Sequence, residues 1–144
     1  MRSYRALWAL AAVASACAGC GRLAPPPVPD GEPAELPPQR MTTVWSDGKG
    51  GVLKLKPDGT FTADRVCGDY DIDAFGPKNE PRSGSGTWKA DGWKGQTSIT
   101  VSYDPGDVDS GYEALREGTT SKLWTYVGDP DDGHSLCVLA ERHG

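Results

Sequence analysis

The chain has 144 residues and a formal net charge of −5, which leaves room for one domain and its targeting apparatus. Removing residues 1–19 takes away Arg2 and Arg5 and no acid, leaving 13 basic against 20 acidic residues, a net of −7. That balance argues against nucleic acid as a partner, because phosphate binding needs a basic footprint. It argues equally against electrostatic attraction to anionic lipid, and reads as a soluble acidic surface that keeps monomers apart.

The first segment differs from the rest. Arg2 and Arg5 precede an uncharged run, ALWALAAVASACA, over residues 6–18. A basic start, a short apolar stretch and small residues at its end are the parts of a secretory signal. The run has 13 residues, short of the about 20 that a membrane-spanning helix needs. Ala18-Gly19-Cys20 then presents two small residues before a cysteine, a pattern that resembles the bacterial lipobox. Lipidation of the Cys20 thiol with cleavage just before it is expected, although Cys17 stands where that pattern usually has Leu. A weaker second candidate places Ala14-Ser15-Ala16 before Cys17. Palmitate-type acylation with two chains suffices for stable anchoring, where one chain gives only reversible binding.

The cysteines support Cys20. Cleavage there discards Cys17, assigns Cys20 to lipid and leaves Cys67 and Cys137. In an oxidising, exported compartment those two most simply form one disulfide. Cleavage before Cys17 would leave Cys20 as an odd thiol. A zinc site is disfavoured, since no CxxC is present and the histidines are only His134 and His143.

Residues 21–40 contain seven prolines and no apolar periodicity. Proline denies the backbone its donor, and such composition favours an extended spacer of about 3.1 Å per residue, roughly 60 Å in all. The expected division is therefore a signal peptide over 1–19, a lipid anchor and proline-rich linker over 20–40, and an antiparallel β domain over 41–144.

From Met41 onward the pattern has period two. A first strand is expected over 42–45. Leu53 and Leu55 alternate with Lys54 and Lys56, Pro57-Asp58-Gly59 marks a turn, and Phe61 and Ala63 alternate with polar neighbours, so 52–56 and 60–66 predict a hairpin. A short strand over 84–89 is expected to close at Asp91-Gly92. Its partner carries Ile99, Val101 and Tyr103 on one face. A last hairpin joins 122–127 to 135–141. Residues 107–117 are the one stretch expected to hold a helical turn, against which Gly111 counts. Consecutive hairpins imply an all-β antiparallel meander of about seven strands, as a small barrel or a strongly curved sheet. The disulfide would tie its early strands to its late ones.

Gly50-Gly51-x-Leu53-x-Leu55-x-x-Asp58-Gly59-Thr60-Phe61, then Cys67, Gly84-x-Gly86-Thr87-Trp88 and Gly128-Asp129-Pro130-Asp131 resemble a family of uncharacterised actinobacterial-type lipoproteins, over roughly residues 45–141. These are turn and core residues of the kind a lipocalin-like small barrel uses. The resemblance implies fold and location and no activity.

The sharpest candidate for chemistry is Asp69, Asp71 and Asp73 with Glu80, an arrangement of oxygen donors of the calcium-loop kind. Ala74 and Pro77 depart from that pattern, and an acidic loop explains the same residues without a metal. Asp129, Asp131 and Asp132 read as turn chemistry, as do Asp104, Asp107 and Asp109. No phosphate loop or nucleophilic triad is legible, and a domain this small seldom offers the cleft that paired glycosidase carboxylates need. No enzyme activity and no cofactor are expected. Of Trp45, Trp88, Trp93 and Trp124, Trp88 and Trp124 fall in strands where burial is expected, and Trp93 is expected to be exposed.

The expected function is that of a membrane-anchored extracytoplasmic lipoprotein serving as a binding or interaction module. Its target would be a small apolar ligand, cell-wall material or another envelope protein. A small hydrolase or an envelope-structural domain is the alternative. A cavity inside the β domain would favour a carrier. A filled core with an exposed aromatic patch would favour contact with protein or wall.

Overall fold

The computed structural model describes residues 28–67, 70–71, 76–77, 82–104, 108–127 and 135–143. Ten of its strands and one helical turn serve the description here: β1 (Glu32–Pro33), α1 (Pro38–Met41), β2 (Val44–Ser46), β3 (Val52–Leu55), β4 (Thr60–Val66), β5 (Tyr70–Asp71), β6 (Gly76–Pro77), β7 (Arg82–Trp93), β8 (Gln96–Tyr103), β9 (Val108–Glu117) and β10 (Thr120–Val127). The last strand, β11 (Ser135–Glu141), returns to the first. Each long strand pairs antiparallel with its sequence neighbour, β5 and β6 forming a small separate ribbon. Ala140 and Glu141 of β11 pair with Ser46 and Trp45 of β2, which closes eight strands into an up-and-down barrel. Closure removes the exposed edges that an open sheet would present.

The alternation read from the sequence selects what faces inward. β8 alternates strictly, with Thr97, Ile99, Val101 and Tyr103 buried. Leu53, Leu55, Phe61 and Ala63 do the same on the first hairpin. Asp58 shapes the turn between them, accepting from the Thr60 amide at 2.9 Å and the Thr60 hydroxyl at 2.6 Å. β4 then breaks register between Ala63 and Val66, where Arg65 takes a positive φ of 49°. This bulge leaves Asp64 and Arg65 exposed and turns Val66 inward. One residue further on, Cys67 is bonded to Cys137 of β11 with a Cα–Cα distance of 5.7 Å.

Three expectations change. Residues 107–117 form no helical turn; β9 is a strand whose Ser110, Tyr112 and Ala114 face the core. β7 does not stop at Asp91-Gly92 but runs on to Trp93, and the reversal falls at Lys94-Gly95. Both residues have positive φ, 50° and 78°, as a two-residue turn matching the strand twist requires. Finally, the proline-rich segment is not all spacer. Glu32 and Pro33 pair with Arg116 and Leu115, beyond the part of β9 that β8 occupies. Ala34, Leu36 and Met41 are buried. The packed unit therefore begins before Met41.

Candidate functional site

The topology sorts the connections between strands into two ends. The β3–β4, β7–β8 and β9–β10 turns lie at one end with α1 and the exit of β11. This linker end is closed by the chain itself. Ala34 donates to the Ala114 carbonyl at 3.1 Å, and the Thr97 amide donates to the Ala34 carbonyl at 2.9 Å. The Leu36 amide donates to Thr97 Oγ1 at 2.9 Å. Those bonds seat Leu36 and Met41 in the mouth of the barrel, and the Trp45 indole N–H donates to the Met41 carbonyl at 3.1 Å.

Beside this plug the fold brings together three polar side chains, Arg40, Glu141 and His143. Glu141 Oε1 accepts from the Ser121 amide at 3.1 Å and is ion-paired with Arg40. His143 Nε2 lies 3.5 Å from the same oxygen. Burial works to raise the Glu141 carboxyl, but the Ser121 amide, Arg40 and His143 together outweigh it, so the group titrates below the ordinary carboxylate range. The side chain is only 5% exposed yet stands at the rim of an open groove of about 450 Å³, which Thr43 and Thr119 also line. Its bonded oxygen is committed to holding α1 and β10 against β11, which is a latch rather than a free acid or base. Glu141 and His143 are two apart on one strand end, and that spacing was the available signal.

The four tryptophans among the described residues separate. Trp45 is wholly buried. Trp88 is half-buried, its indole donating to the Lys56 carbonyl at 2.8 Å. Trp124 is half-buried as well, but it faces outward from β10 and meets Tyr126 edge to face at 5.1 Å. An apolar groove of about 250 Å³ runs along it, lined by Val28, Pro29, Pro33, Gln96 and Leu115. The linker thus covers an apolar strip on the outer wall. Trp93 is 73% exposed, as expected, with Lys94 Nζ 5.6 Å from its ring centre.

Inside the barrel, Trp45, Leu53, Phe61, Ile99, Tyr112, Leu123 and Leu139 are all essentially inaccessible. The grooves named above, and a polar one of about 560 Å³ between Gly31–Glu35 and Arg116–Gly118, open on the surface.

The expected lipidation residue Cys20, the alternative Cys17 and the signal segment lie outside the described residues. So do Asp69, Asp73 and Glu80 of the calcium candidate; Asp71 falls in β5, with its side chain undescribed. Asp107, Asp129, Asp131, Asp132 and His134 are likewise outside. Among the described residues no group of three or more His, Cys, Asp or Glu is arranged to hold a metal. No protein-family model, curated protein or solved structure matches the chain.

Proposed function

We propose that this chain is a lipid-anchored, extracytoplasmic interaction module without catalytic activity, which meets envelope protein or cell-wall material with its outer surface. The observation that carries this reading is the filled interior. Trp45, Phe61, Tyr103 and Tyr112 occupy the space in which a carrier barrel of this size would hold a ligand. Among the described residues, what stays accessible lies on the outer wall of the barrel, as in the groove along Trp124. Among the described residues the hydrolase alternative would draw on Glu141 and His143, and the commitment of Glu141 to Arg40 and the Ser121 amide weighs against it.

Native mass spectrometry of the protein purified from its own host tests the reading. The mass of the acylated chain with no further ligand is expected. A stoichiometric small molecule that survives purification would reinstate the carrier and overturn the surface module.

A further inference from the structure

We infer that the tip of the β7–β8 hairpin, Trp93 with Lys94, rests in the headgroup layer of the membrane that holds the anchor, so that the barrel stands on its linker end. The inference rests on the lipid-anchor reading and adds an orientation to it.

Tether length is the first argument. With Glu32 and Pro33 hydrogen-bonded to β9, no more than residues 21–31 separate Cys20 from the sheet. Eleven residues in an extended proline-rich conformation reach about 34 Å, roughly one domain diameter rather than the two that a free linker would span. The end from which the tether leaves is thereby held nearest the bilayer.

The second argument is where apolar surface remains. Val28 and Trp93, 63% and 73% exposed, are the large hydrophobic side chains left accessible among the described residues. They neighbour one another through Gln96, which lines the groove with Val28 and is the register partner of Trp93. Exposed apolar surface therefore gathers where the tether departs. A two-residue turn fixes Trp93 at the hairpin tip. An indole prefers the interface between hydrocarbon and water, and an adjacent ammonium can reach lipid phosphate.

Charge gives the third. Among the described residues, connections at the end opposite the linker carry Asp47, Asp71 and Asp104 against Lys49. Counted the same way, the linker end, including the entering and leaving chain, carries four acidic and four basic residues. An anionic leaflet repels the first end and is indifferent to the second. With a net of −7 the domain gains no long-range attraction, so the anchor supplies the affinity and Trp93 the orientation.

The test uses the full lipidated protein in vesicles of phosphatidylcholine and phosphatidylglycerol with brominated acyl chains. Flotation is scored first, then quenching of tryptophan emission by the bromines. Expected are co-flotation, a quenched component in the wild type, and loss of that component in Trp93→Phe. Equal quenching in Trp93→Phe and wild type, or flotation with no quenching, overturns the orientation while leaving the anchor intact. Failure to float overturns the anchor, and the orientation with it.

Discussion

Phe61 and Tyr103 meet edge to face across Gly86, their ring centres 4.9 Å apart at an interplanar angle of 83°. Gly86 is the register partner of both, so the two rings close over an inward position of β7 that has no side chain. A β-carbon there would collide with the Ser102 carbonyl oxygen and press on the Phe61 ring. Gly86→Ala is therefore expected to destabilise by about 2 kcal/mol, the range of overpacked cores. A fall in thermal midpoint measured by circular dichroism checks this; an unchanged midpoint would show that β7 lies elsewhere.

Thr97 holds the linker plug from both sides, donating from its amide to Ala34 and accepting from the Leu36 amide at its hydroxyl. Thr97→Val keeps the shape and leaves the Leu36 amide without its buried acceptor. Such a loss costs about 1–3 kcal/mol. Limited proteolysis should then cut earlier within residues 32–41, with the barrel itself persisting.

That plug shows where the sequence was and was not legible. Strands such as β3 and β8 announce themselves because Leu53, Leu55, Ile99 and Val101 alternate with polar residues. β9 hides its alternation: its inward positions include Ser110, and its outward face includes Leu115, buried because β1 lies over it. Nothing local to β9 signals that cover, since it comes from a segment whose prolines read as tether. Of the latch, only the spacing of Glu141 and His143 shows in the sequence, since Arg40 stands 101 residues from Glu141.

The Cys67–Cys137 bond closes a separation of 70 residues and joins the bulged end of β4 to β11. Loop-closure entropy assigns it about 4 kcal/mol. Urea unfolding with and without a reductant measures this, and the midpoint is expected to fall clearly on reduction. Coincident curves would mean the bond does not form in the mature protein.

Glu141 sets a pH dependence. Its carboxyl titrates lower in the fold than in the unfolded chain, so its stabilising contribution is present above the unfolded value. That contribution is lost as pH falls through the folded one. Thermal midpoints should therefore drop on acidification, and Glu141→Gln should flatten that limb while lowering stability at neutral pH. An acid limb unchanged by Glu141→Gln would remove the latch from the account.

Ser121 Oγ is wholly buried and has no hydrogen-bond partner among the described residues, whereas its amide serves Glu141. Ser121→Ala removes an unsatisfied hydroxyl and keeps the amide. The variant is expected to match or exceed the wild type in thermal midpoint, since removing such a group relieves its desolvation cost.

Cys67 and Cys137 staple the barrel, and we propose that Cys20 carries lipid. Intact mass of the mature chain from its own host tests it most directly. The expected product begins at Cys20, carries acyl mass and is lighter by two hydrogen atoms than the form with free Cys67 and Cys137 thiols. A product beginning after Ala16, or one with no acyl mass, would contradict it.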